Sequence, residues 1–143
     1  MRYKNSLIMG KNYLSENAPV MLCINTRNGL ELINISEVVY LKADGNYTEF
    51  VTCDGKVKTY LSTLARFEED IAALLDKCNI ATPFFRLSRS YLVNTDYVQS
   101  VNLSTQSLGF FADAVKPLVV SKRLLKLLQT FLYDRYCSFL ERV

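Results

Sequence analysis

Three pairs of turn-forming residues, Asn28-Gly29, Asp44-Gly45 and Asp54-Gly55, punctuate residues 20–61, leaving segments of eight, fourteen, eight and six residues. That punctuation constrains the fold more than any other feature. Gly, Asn and Asp tolerate the positive φ that tight turns demand, and short runs rich in Val, Ile, Tyr and Thr suit strands better than helices. VMLCINT (20–26) and GLELINI (29–35) therefore read as a hairpin turned at Arg27-Asn28-Gly29. SEVVYLKA (36–43) turns into a third strand, closed by the loop Asp44-Gly45-Asn46. YTEFVTC (47–53) sets Tyr47, Glu49 and Val51 against Thr48, Phe50 and Thr52. Asp54-Gly55 returns it into KVKTYL (56–61), where Val57 and Thr59 alternate with Lys56 and Lys58, a hairpin with one solvated face.

From Ser62 to Asp76 the period changes. Leu64, Phe67, Ile71, Leu74 and Leu75 recur at helical spacing, with Arg66, Glu68, Glu69 and Asp70 opposite them. The Glu68-Glu69-Asp70 run reads as a solvated helix face rather than a carboxylate site. Pro83 closes the next loop; strand-like segments follow at 97–103 and 107–111, with a polar turn at 104–106 and a strand at 116–121. Residues 122–141 read as a longer helix with a stripe of Leu124, Leu128, Phe131, Leu132, Tyr136, Phe139 and Leu140. Eight or so short strands and two helices make a mainly β domain.

Composition narrows the function. At 143 residues the chain suits one domain able to fold without staples. No apolar run approaches the roughly 18 residues of a membrane span, and Leu7–Met9 is too short for a signal peptide. A cytoplasmic protein is expected. Histidine is absent, which removes Ser-His and Cys-His catalysis and mixed Cys/His zinc sites. Cys23, Cys53, Cys78 and Cys137 are widely spaced and read as buried, reduced thiols. There is no glycine-rich phosphate loop, and neighbouring Ser121 and Lys122 would point apart on a helix. Neither an enzyme, a cofactor nor a small-molecule substrate is indicated. The net charge of +3 is small but polarised. Residues 84–126 hold Arg86, Arg89, Lys116, Lys122, Arg123 and Lys126 against only Asp96 and Asp113.

FFRLSRSYLVNTDYV (84–98) lies in that basic part, and two arginines interrupt an otherwise apolar strand. Strand residues alternate faces, so Arg86 and Arg89 are not expected to share one. Arg86 reads as a structural or phosphate-side arginine with a buried stem. Arg89 falls where the strand pattern fails, and an arginine on a rigid loop presents a fixed fork to guanine or phosphate. Asn94 reads as a turn-former bonded to its own backbone.

Taken together, ISEVVYLKADGNYTEFVTCDG (35–55), TYLSTLARFEEDI (59–71), PFFRLSRSYLVNTDYVQSV (83–101) and LVVSKRLLKLL (118–128) resemble the LytTR DNA-binding domain, the output module of many bacterial response regulators of two-component systems. The resemblance spans about residues 20–130. It implies an elongated β-sandwich of short strands, here with one short internal helix and a longer C-terminal helix. It also implies a transcription regulator that binds double-stranded DNA at promoter repeats, placing loops rather than a helix in successive major grooves. Carried onto this chain, the base-contacting positions are Asn46 or Tyr47 in GNYT, Arg89 in LSRS and Lys122 in VSKR. Arg86, Ser88, Arg123 and Lys126 are the phosphate-side candidates. The family often has histidine where this chain has Ser88, so any contact by that imidazole is missing.

Each position also has a plainer reading. Asn46 suits a turn, Tyr47 a half-buried strand, and Lys122 the first turn of a helix capped by Ser121. A helix dipole disfavours cations at its N-terminus, so Lys122 and Arg123 need another partner, and phosphate supplies one. The rival function is a protein-interaction module using β edges or the C-terminal helix. Residues 1–18 and 131–143 read as extensions flanking a DNA-binding domain at 19–130. A receiver domain would not fit in those first residues, so the expectation is either a stand-alone regulator, which the initial Met favours, or part of a longer chain. The apolar surface of the C-terminal helix is expected to be covered either by the N-terminal extension, through Tyr3, Leu7, Ile8, Met9 and Leu14, or, the preferred reading, by a second copy in a homodimer.

Overall fold

A computed structural model describes residues 19–137. It contains ten short strands and two α-helices, a mainly β architecture with antiparallel sheets. The described residues divide into two compact units, 19–38 with 65–82 and 39–64 with 83–137.

In the first unit, β1 (Met21–Thr26) and β2 (Gly29–Asn34) pair antiparallel, with Thr26 opposite Gly29, so the connection is Arg27-Asn28. Asn34 Oδ1 then accepts from Ser36 N at 3.0 Å and opens a 3₁₀ turn at Ile35–Glu37. The helix α1 (Leu64–Lys77) belongs here from Ala65 onward. Leu22, Ile24, Ile33, Ile35, Val38, Phe67, Ile71 and Leu75 are buried in this unit; Phe67, Ile71 and Leu75 follow the expected helical stripe, and Leu74 is half-buried. Arg66 and Asp70 form an exposed i,i+4 pair at 3.6 Å on the far face, as the solvated-face reading requires.

The second unit is built on a five-stranded sheet in the order β5-β4-β3-β7-β6. Its members are β3 (Val38–Asp44), β4 (Tyr47–Thr52), β5 (Val57–Leu61), β6 (Phe84–Arg86) and β7 (Tyr91–Asn94). A three-stranded sheet joins β8 (Val98–Asn102), β9 (Ser107–Phe110) and β10 (Leu118–Val119). The helix α2 (Lys122–Leu132) follows β10. Val39, Val51, Leu87, Val93, Leu108, Phe110, Val120, Leu125 and Leu128 share one core. Asn94 caps a second 3₁₀ turn by accepting from Asp96 N at 3.0 Å, the backbone role expected of it. Next to it, buried Thr95 donates its hydroxyl to Pro83 O at 2.7 Å.

Four expectations need correction. The strand expected at 116–121 shrinks to Leu118–Val119, because Pro117 has no N–H to give to a ladder. The helix expected over 122–141 stays α only to Leu132 and continues as a π turn at Tyr133–Cys137; Phe139 and Leu140 lie outside the described residues. In β5, Val57 and Thr59 are solvated along with Lys56 and Lys58, since this is an edge strand that turns only Tyr60 inward, edge-on to Phe50 at 5.5 Å. The cysteines are free, but Cys23 and Cys78 are exposed and Cys53 and Cys137 are only half-buried. Cys23 faces outward on β1 by strand alternation, and Cys78 follows the last turn of α1.

Candidate nucleic-acid interface

Two of the three loops singled out by sequence emerge from one end of one sheet. β3 runs out into Gly45-Asn46, and the 87–90 loop runs into β7 beside it, with Lys42 opposite Tyr91. Ala43 N, near the end of β3, donates to Ser90 O at 2.8 Å and ties the 87–90 loop to the strand that leads into the other. Gly45 sits at φ +64°, where a residue with a side chain would be strained. That conformation turns the chain within two residues, so that Tyr47 starts β4 opposite Leu61. Asn46 is exposed, and Tyr47 remains 47% exposed at the head of its strand. Thr48, fully buried, points the other way and donates to Ser62 O at 2.8 Å.

The 87–90 loop is fastened more heavily. Leu87 is buried in the shared core, and its N–H donates to Tyr91 O at 3.0 Å. Ser88 Oγ accepts from Ser90 N at 3.1 Å. Half-buried Arg86 turns back on the loop, with Nε donating to Ser88 O at 2.7 Å and Nη2 to Arg89 O at 3.3 Å. Arg89 itself is exposed. Its guanidinium has no hydrogen bond or ion pair among the described residues, so its donors are available to a ligand.

The third loop is attached through the core. Val120 N donates to Gln106 O at 2.9 Å, and Val120 is buried in the cluster that also holds Leu87. Ser121 then caps α2, its Oγ accepting from Leu124 N at 3.4 Å. Lys122, Arg123 and Lys126 are exposed, and no acidic residue occupies the first turn. Three cations thus stand on the first two turns of a helix whose dipole disfavours them, with no side-chain partner among the described residues.

Lys42 was missed by the sequence reading. It is exposed, lies one residue from the Ala43–Ser90 bond and adds a cation to the end of the sheet that carries Arg89. Its only sequence signal is the alternation of β3, which turns Lys42 away from buried Leu41. Close by, the Tyr40 ring meets Tyr91 edge-on at 5.8 Å and stacks with Phe110 at 5.7 Å. Burial, then neighbouring Tyr91 and Glu49, raise the Tyr40 pKa above its ordinary value, so the phenol stays neutral there.

The family model for the LytTr DNA-binding domain matches residues 28–133. The chain belongs to the LytTR DNA-binding domain family. Among solved structures, the chain is similar to the LytTr DNA-binding domain of a methyl-accepting/DNA response regulator from Bacillus cereus. That likeness has a TM-score of 0.55 at 23% identity and covers 79% of this chain and 96% of the other. It shows a LytTR fold. Among curated proteins, no relative matches. Among the described residues, no helix is long and apolar enough to cross a membrane, and no group of three or more His, Cys, Asp or Glu could hold a metal ion.

Proposed function

We propose that this LytTR domain recognises specific sequences in double-stranded DNA, at promoter repeats, and regulates transcription in the bacterial cytoplasm. Its DNA-binding unit is residues 19–130, flanked by extensions at 1–18 and 131–143. Loops enter the major groove, Asn46, Tyr47, Arg89 and Lys122 contact bases, and Ser88, Arg123 and Lys126 contact phosphates, with Lys42 as a further cation. One observation carries this reading. The exposed Arg89 has no partner for its guanidinium among the described residues, yet its loop is bonded to β3 at the end of a sheet. A guanidinium fork presented from a held backbone suits bidentate recognition of guanine.

Selection of bound fragments from random duplex DNA by the full chain tests it. A single enriched sequence, with affinity that falls steeply as salt rises, is expected. Binding without sequence preference would refute specific recognition. Insensitivity to salt would favour the interaction-module alternative.

A second reading, a homodimer, draws on the C-terminal face. A groove of about 470 Å³ is lined in part by Val98, Phe111, Leu132, Tyr133 and Tyr136, with Phe111 64% and Tyr133 52% exposed. We infer that a second copy covers this face. Ending the chain at Thr130 is a poor test, because the Phe131 ring packs 4.9 Å from Phe85 and Leu132 joins the core. Sedimentation of the full chain against Tyr133→Lys is cleaner: a dimer that becomes a monomer supports the reading, and two monomers refute it.

A further inference from the structure

Arg86 lies outside any direct reading role, and its geometry points to another one. It ends β6, paired with Leu92, and is half-buried. The loop it faces has only four residues, 87–90, and each of the last three has its carbonyl engaged. Ser88 O and Arg89 O accept from the Arg86 guanidinium at 2.7 and 3.3 Å, and Ser90 O accepts from Ala43 N at 2.8 Å. Ser90 N is tied to Ser88 Oγ at 3.1 Å. With Leu87 buried, the backbone on both sides of Arg89 is held, and the Arg89 side chain projects from a fixed base.

Two carbonyls are reached at once because a guanidinium is a planar fork with separate donors; an ammonium on a flexible stem cannot match that geometry. A carbonyl pair also concentrates negative potential beneath the guanidinium, which draws the charge inward to the loop and away from solvent.

We propose that Arg86 is a positioning residue that sets where Arg89 points, and so determines base preference without touching DNA. This rests on Arg89 reading a base edge. It replaces the phosphate-side role the sequence suggested for Arg86.

The test uses the full chain and two duplexes, one selected by the unaltered protein from a random pool and one scrambled. Variants are Arg86→Lys, Arg86→Gln, Arg89→Ala and the double variant Arg86→Lys/Arg89→Ala, each first checked for an unchanged thermal unfolding midpoint. If Arg86→Gln alone fails to fold, Arg86→Lys carries the test. Arg86→Lys keeps the charge and removes the fork. It should lower preference for the selected duplex by roughly tenfold, at the base pair where Arg89→Ala lowers it, while affinity for the scrambled duplex holds. Arg86→Gln should do the same without flattening the salt dependence. The double variant should be no worse than Arg89→Ala, because both changes remove one interaction.

Three results would overturn the proposal. Arg86→Gln weakening both duplexes equally, with a salt slope shallower by about one unit, would mark a phosphate contact. The losses from Arg86→Lys and Arg89→Ala must not add, since additive losses mark independent roles. Arg86→Lys must not keep full preference while Arg89→Ala loses it, since positioning alone then fails. If Arg89→Ala itself keeps affinity and preference, base reading by Arg89 fails, and the positioning role falls with it.

Discussion

The two loops at the end of the five-stranded sheet are held by opposite means. Residues 87–90 are held by side chains: Leu87 in the core, and the Arg86 guanidinium and Ser88 hydroxyl on the loop backbone. Gly45-Asn46 is held by conformation, with Gly45 at φ +64° and nothing within 4 Å of the place a Cβ would occupy. Packing makes the first loop costly to disturb and tolerant of nothing inside it. Turn chemistry makes the second cheap, open and dependent on a single glycine. Loops built in these two ways should fail differently, and four substitutions separate them.

The largest effect is expected from Leu87→Ala. Leu87 is 3% exposed, and emptying that site should lower stability by about 2–5 kcal/mol in chemical denaturation. A loss under about 1 kcal/mol would show that the core does not anchor this loop. Next comes Arg89→Ala, which should cost about 1–3 kcal/mol on the preferred duplex in titrations, relax choice at one base pair and leave stability untouched. Unchanged affinity and preference would make Arg89 structural. Gly45→Ala follows, at roughly 1 kcal/mol of stability, because only backbone strain opposes it. A cost several times larger would mean that the turn is packed after all. Smallest is Arg123→Gln, which should weaken every sequence alike and flatten the salt slope by about one unit. A changed sequence preference at constant slope would exchange the roles of Arg123 and Lys122.

Much of this fold was legible because its determinants are local. Turn pairs at Gly45 and Gly55 and the stripe from Leu64 to Leu75 placed β3, β4, β5 and α1 within a residue or two. The π turn at Tyr133–Cys137 was not, since an apolar stripe such as Leu128, Leu132 and Tyr136 satisfies either helical path until tertiary packing chooses. Nor was the solvation of Val57, because edge position is a property of the sheet and not of the strand. In the candidate site, the odd placement of two arginines in an apolar strand drew attention to the 87–90 loop. It could not tell that the Arg86 guanidinium turns back onto the loop backbone while Arg89 stays exposed. That depends on carbonyls two and three residues further on, whose direction only the closed loop defines. Lys42 was invisible for the opposite reason, being an ordinary outward lysine until β7 is laid beside it.

The single Ala43–Ser90 bond gives the two loops a common frame. Loops so joined behave as a ruler: β4 and β7 lie on either side of β3, so if Tyr47 and Arg89 both touch DNA, as proposed, their contacts are set two strand spacings apart, about 10 Å, plus side-chain reach. B-DNA rises about 3.4 Å per base pair on each strand, so two such contacts would fall about three steps apart on the duplex. One extra base pair inserted between those steps would then move one proposed contact out of phase with the other. An insertion elsewhere in the site would leave this pair of contacts in register.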